Sequence, residues 1–229
     1  MIADVIILTD NTDIVMTFET IQSIRDSEVD HSFNIIVVSS GANKAYANAN
    51  INLFIDGPFN YNKAVNFALE RCNNDWVLIS NDDVKYERKW FTNMLKVHEA
   101  RPDIESFSPK DSMLYLRYFN SHFSGHQGDY FESYIVSEAF MGWSVMIKRS
   151  ALDKILPLDE QFDMYYQDND FVECLKSKGI KHALVRDSIA SHLNTLYVER
   201  DIPQYKRVKM IEDKHKFENK WKLYKSQQD

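Results

Sequence analysis

The chain has 229 residues, 44% hydrophobic and 13% aromatic, enough apolar side chain to fill one core and too much for a disordered chain. Glycine and proline are scarce (6 and 5), which argues against low-complexity linkers, and the two cysteines, Cys72 and Cys174, read as reduced thiols of a cytoplasmic protein. The net charge of −7 is uneven: Lys206–Lys225 carries eight Lys or Arg against three acids, net +5, leaving −12 elsewhere.

The chain starts on a strand, Ala3–Thr9, apolar throughout as in parallel strands buried on both faces. Its apolar core is too short for a bilayer span, and Met1–Asn11 lacks the basic start and small-residue cleavage site of a signal peptide. Thr12 or Asp13 can cap a helix whose Ile14, Phe18, Ile21 and Ile24 share a face. Asn34–Ser39 and Asn52–Ile55 read as strands, Asn60–Arg71 as a helix, Trp76–Ser80 as a strand and Arg88–Ala100 as a helix. Strands alternating with helices predict a parallel α/β sheet.

From Ser112 to Tyr134 the pattern is irregular and aromatic, with Tyr115, Tyr118, Phe119, Phe123, Tyr130, Phe131 and Tyr134. Beyond it come a strand at Trp143–Lys148, a short helix from Ser150, and a helix over Asp168–Lys178 stopped by Gly179. A late strand at Lys181–Val185 precedes a basic, amphipathic helix over Tyr205–Tyr224. The whole, 1–229, reads as a single domain with a change of character after about Asp111: residues 1–111, then 112–195, then a helical extension over 196–229.

Three places can carry chemistry. Asn81-Asp82-Asp83 follows a strand directly, where ligands bind in open α/β sheets. Adjacent carboxylates there call for a cation, and Mg2+ or Mn2+ takes such oxygens and bridges to diphosphate; Asn and Asp are also common turn formers. Asp168 sits where a helix should begin, as an N-cap or as a general base. His192, in Ala190-Ser191-His192-Leu193 after the last strand, is a candidate metal ligand or a structural histidine. No Gly-rich phosphate loop, Gly-x-Ser-x-Gly elbow or zinc-type Cys/His spacing occurs, which speaks against kinase, dehydrogenase and hydrolase chemistry.

The order of these pieces resembles glycosyltransferase family 2, the inverting GT-A enzymes, over roughly Ile2 to Leu193. Pro58-Phe59-Asn60-Tyr61-Asn62-Lys63-Ala64-Val65-Asn66 resembles a segment before the family's metal motif, and Trp76–Val84 resembles the strand with its Asp-x-Asp-type motif. Gly142–Asp170 resembles the acceptor-side block. The resemblance implies a GT-A-like fold, Rossmann-like with a mostly parallel sheet, whose first half binds a nucleotide-sugar and whose second half meets the acceptor. It implies Asp83 and His192 as metal ligands and Asn81 and Asp82 beside the nucleotide. It further implies Asn62 and Asn66 as support for the nucleotide pocket, Gly142 and Trp143 at the acceptor, and Asp168 as base.

Two positions depart from the family's pattern: Ser39-Ser40-Gly41 lacks the acid that often reads the nucleotide base, and Gln167 stands where an acid often precedes the base. The function implied is transfer of a sugar from a nucleotide-sugar, taken as a UDP-sugar, with Mn2+ or Mg2+, to a hydroxyl of a glycan, lipid-linked saccharide or protein. Alternatives are transfer to hydroxymethylated bases of DNA, as in phage enzymes, and a non-catalytic nucleotide-sugar-binding or scaffold domain. A nucleotidyltransferase would need a Gly-rich basic loop where Thr9-Asp10-Asn11-Thr12 stands. The basic tail could meet a membrane surface or nucleic acid, or be a solvated helix face.

Overall fold

The computed structural model describes residues 1–11, 13–41, 44–112, 128–162, 165–193 and 204–227. Tyr115, Tyr118, Phe119 and Phe123 of the aromatic stretch lie outside the described residues. In chain order the elements are β1 (Ile2–Thr9), α1 (Ile14–Asp26), β2 (Ser32–Ser40), β3 (Ile51–Ile55), α2 (Tyr61–Leu69), β4 (Trp76–Asn81), β5 (Val84–Tyr86) and α3 (Trp90–Ala100). There follow β6 (Ile104–Asp111), β7 (Tyr130–Glu132), β8 (Ser144–Lys148), α4 (Arg149–Leu152), α5 (Gln167–Ser177), β9 (Lys181–His192) and α6 (Gln204–Ser226).

The strands form one mixed sheet in the order β3-β2-β1-β4-β8-β6-β9-β5, with β7 also paired to β9. The first half is parallel as expected: β1 pairs with β2 and β4, and β2 with β3. β8 then enters antiparallel between β4 and β6, and β6 runs parallel to β9. The chain leaves β1 toward β2 on one side and returns to β4 on the other. The carboxyl ends of β1 and β4 thus flank a switch in strand order, where a crevice opens.

Alternation along β1 explains why it is apolar throughout. Val5 and Ile7 join the core under α1 and α3 with Ile21, Ile24, Trp90 and Phe91. Ile6 and Leu8 join the opposite core with Ala64, Val65, Ala68 and Leu69 of α2 and Phe171, Val172 and Leu175 of α5. Successive side chains point to opposite faces, so a strand covered on both needs apolar residues at every position.

The helix starts are settled by local hydrogen bonds. Asp13, not Thr12, caps α1 by accepting from the Met16 amide at 2.9 Å, and Asn60 caps α2 through the Lys63 amide at 2.9 Å. α3 has no cap of its own: the buried Glu28 accepts from the Phe91 and Thr92 amides at 2.7 and 2.8 Å. α5 starts earlier than expected. Its cap position is Tyr166, at φ 62°, which moves Asp168 into the first turn and removes its N-cap role.

The sequence reading misses β5, β6 and β7 and ends β9 too soon. Pro109 argues against a strand, yet β6 lies between β8 and β9; the register shifts between Pro109 and Lys110, a bulge of the kind that accommodates proline. The polar run Arg186-Asp187-Ser188 hides the continuation of β9, which carries His192 on the strand itself, paired with Val84 of β5. Cys72 and Cys174 are both free thiols. Among the described residues no helix is long and apolar enough to cross a membrane.

Candidate active site

β4 delivers Asn81 to the crevice, and its amide donates to the carbonyl of Trp143 at 2.9 Å, tying the strand end to the residue before β8. The chain then turns through Asp82 and Asp83. Asp82 faces α1: its Oδ2 accepts from Thr17 Oγ1 at 3.2 Å, and its carbonyl accepts from Thr20 Oγ1 at 2.7 Å. Burial, with Asp83 and Asp10 adding repulsion, pushes the Asp82 carboxyl up to about 6 against hydrogen bonds from Thr9 and Thr17.

Asp83 turns the other way and is 6% exposed. Its Oδ1 lies 3.0 Å from His192 Nε2, yet the two are not aligned as a hydrogen bond. Asn81 Nδ2 lies 3.4 Å from the same ring nitrogen. The Leu193 amide donates to the Asp83 carbonyl at 2.9 Å, and the Trp143 ring stacks on His192 with centroids 5.2 Å apart and planes at 9°. A carboxylate oxygen and an imidazole nitrogen thus converge in a buried corner. Mn2+ or Mg2+ accepts such donors, filling its other positions with phosphate oxygens and water. Asp83 and His192 fit such a cation, and among the described residues no larger group of His, Cys, Asp or Glu gathers to enclose one.

Gly142 and Trp143 join this corner to Asp168. A Cβ placed on Gly142 would sit 2.8 Å from Asp168 Cβ and 3.2 Å from its Oδ2, so the carboxylate occupies the space that glycine leaves. The Gly142 carbonyl accepts from the Tyr61 hydroxyl at 3.0 Å. Tyr61, Ile79, Phe140, Val145, Gln167 and Phe171 line the small pocket around them. Burial raises the Asp168 carboxyl above the ordinary range, opposed by the Asn169 amide on its Oδ1 at 2.9 Å. The loss of an acidic neighbour at Gln167 therefore does not leave Asp168 at an ordinary value. Burial and then Asp168 drive the Tyr61 phenol well above its usual range, so it stays a donor.

Of the residues marked from sequence, Asn81, Asp82, Asp83, Gly142, Trp143, Asp168 and His192 share this rim. Asn62 and Asn66 bond to the segment after Pro157. Asn62 Nδ2 donates to the Asp159 carbonyl at 2.8 Å, and Asn66 exchanges hydrogen bonds with the Leu158 backbone at 2.9 Å each way. Both hold the 158–160 segment. Tyr61, Thr17 and Thr20 went unmarked; Tyr61 lies within the segment that drew notice, but only the fold shows its reach to Gly142.

No protein-family model matches the chain, and no curated protein matches it by sequence. Solved structures do. The mannosyltransferase PcManGT from Pyrobaculum calidifontis, in complex with GDP-Man and Mn2+, superposes with a TM-score of 0.61 at 16% identity, over 84% of this chain and 56% of that one. GalNAc-T7 with UDP, GalNAc and Mn2+ gives 0.60 at 11% identity, over 82% and 42%. Residues 1–349 of TarS from S. aureus give 0.56 at 13% identity, over 83% and 59%. The fold is that of the GT-A glycosyltransferases. The chain spans about half the length of these GT-A neighbours.

Proposed function

We propose that this chain transfers a sugar from a nucleotide-sugar, taken first as a UDP-sugar, to an acceptor hydroxyl with inversion at the anomeric carbon. The observation that carries the reading is the convergence of Asp83 and His192 at a switch point whose same rim holds Asp168. GT-A neighbours that hold GDP-Man or UDP with Mn2+ support the donor class.

Asp83 Oδ1 and His192 Nε2 would hold the cation, with Trp143 fixing the imidazole plane. When bound, a divalent cation supplies Lewis-acid stabilisation of charge on a departing diphosphate. Asp168 takes the proton from the acceptor hydroxyl, and that oxygen displaces the nucleoside diphosphate from the opposite face of the sugar. A raised carboxyl in a partly apolar pocket is the stronger base once ionised. Gly142 lets the acceptor side approach that carboxylate, and Tyr61 fixes the peptide that Gly142 presents.

The test is thermal stabilisation by UDP, GDP, dTDP and CDP, each with and without Mn2+, beside Asp83→Ala. A nucleotide at a hundred times its dissociation constant adds about 2.7 kcal/mol. A metal-dependent shift with one nucleotide, lost in Asp83→Ala, is expected and selects the sugar donors to assay. No shift with any nucleotide at saturating concentration would sink the reading.

A further inference from the structure

The basic helix α6 does not stand free: its contacts bracket Asp168. Two residues before that carboxylate, Tyr166 holds a left-handed backbone at φ 62°, and its ring packs on Phe217 with centroids 5.5 Å apart. A non-glycine residue stays in that region only when its surroundings hold it there. Two residues after, the buried Asp170 accepts from Trp221 Nε1 on Oδ1 and from Lys220 Nζ on Oδ2, each at 2.8 Å. Lys220 also donates to Asp159 Oδ2 at 2.9 Å, and Lys216 to the Gln161 carbonyl at 3.1 Å. Asn62 and Asn66 grip the same segment from α2, at the carbonyls of Asp159 and Leu158.

Charge-assisted hydrogen bonds onto a buried carboxylate are short and directional, so the two oxygens of Asp170 fix the rotation of the first turn of α5. Asp168 lies in that turn, and its carboxylate packs into the space that Gly142 leaves. Small rotations of α5 would therefore move it off line.

We propose that Lys220 and Trp221 are positioning residues for sugar transfer, aiming Asp168 at the acceptor hydroxyl by seating Asp170. The inference rests on the reading of Asp168 as base given above. The contacts of α6 fall on the Asp168 side of the rim, at Tyr166, Asp170, Asp159 and Gln161. Loss of the clamp should then act on turnover and leave the donor corner of Asp83 and His192 intact.

The experiment uses Lys220→Met, Trp221→Phe and Lys220→Arg in the full chain. Each is assayed for UDP or GDP binding with Mn2+, for kcat and donor KM with the donor that the nucleotide panel selects, and for amide exchange at 169–171. A misplacement on the order of 1 Å costs about a hundredfold in rate. Lys220→Met is expected to lose about that in kcat with donor KM and nucleotide binding kept, to exchange faster at 169–171, and to be rescued largely by Lys220→Arg. Trp221→Phe keeps an aromatic side chain but loses the pyrrole part of the indole with its donor to Asp170, a smaller change than truncation, and should show the same split to a lesser degree. Unchanged kcat in both variants overturns the proposal, as does loss of nucleotide binding in step with kcat. If the wild type binds and turns over no nucleotide-sugar, the donor reading fails by itself. Amide exchange then decides the clamp, and unchanged rates at 169–171 in Lys220→Met overturn it.

Discussion

At the residue scale the site depends on three close approaches. Asp83 and His192 face one point, Trp143 holds the imidazole, and Gly142 yields its side-chain space to Asp168. The last is the sharpest test of geometry. Gly142→Ala puts a methyl 2.8 Å from Asp168 Cβ, an atom carried directly on α5 rather than the free end of a flexible side chain, so something must shift. It is expected to cut turnover by about a hundredfold, as for a small misplacement of a reacting group, while nucleotide and Mn2+ still bind. Equal loss of nucleotide binding would show that the methyl disturbs the whole rim. Asp168→Asn keeps the shape and removes the base, and should lower kcat by about a hundredfold to ten-thousandfold with donor binding intact. Retained turnover would remove Asp168 from its role. The pH profile follows from the direction of its shift. Asp168 must be ionised to accept a proton, and burial holds its carboxyl above the ordinary value. The acid limb of kcat should fall above the usual aspartate value of about 3.9, and a limb at or below that value would exclude Asp168 as its source.

At the scale of elements, most of the parallel half was legible because its cause is local. Short, β-branched apolar runs such as Val5–Leu8 and Ile35–Val38 suit strands covered on both faces, and the caps Asp13 and Asn60 announce α1 and α2. What stayed hidden depends on partners distant in sequence. Pro109 in β6 is tolerated at a bulge opposite β9, and His192 is carried by a strand whose polar middle reads as its end. Asp168 passed for a helix cap because the true start, Tyr166, holds a backbone that its sequence does not favour. Likewise Asn62 and Asn66 drew notice by their place in a motif, whereas their partners sit near residue 159. α3 shows the same dependence on distance, since Glu28 on another segment supplies its cap and also accepts from Thr92 Oγ1 at 2.7 Å. Glu28→Ala leaves those amides without their acceptor and is expected to lower stability by about 1–3 kcal/mol, read by chemical denaturation. A change under a few tenths would mean that water replaces the carboxylate at no cost.

At the scale of the molecule, His182 links the fold to pH. It lies near the start of β9 with no exposed surface, its Nδ1 2.8 Å from Ser106 Oγ on β6 and its Nε2 3.2 Å from the Ala139 carbonyl. That carbonyl accepts from Nε2–H, so Nδ1 accepts from the serine hydroxyl and the ring is neutral. Burial lowers its pKa from 6.5 to about 4, against the pull of the Ala139 carbonyl. Below pH 6.5 the unfolded chain takes up a proton that the folded ring refuses until about pH 4, so stability is lost as pH falls through this window. From pH 7 to pH 5 the loss from this one group is about 2 kcal/mol. The buried carboxyls work the other way: Asp82 and Asp168, raised by burial, make the fold relatively more stable as the solution turns acid. The net pH dependence therefore cannot identify the histidine, but a difference between two proteins can. His182→Gln keeps a donor and an acceptor without a titrating ring. Denaturation of both proteins at pH 7 and pH 5 should show the wild type losing more stability than the variant by about 2 kcal/mol. Parallel losses would mean that the ring accommodates its charge inside the sheet, and that the acid sensitivity of the fold arises elsewhere.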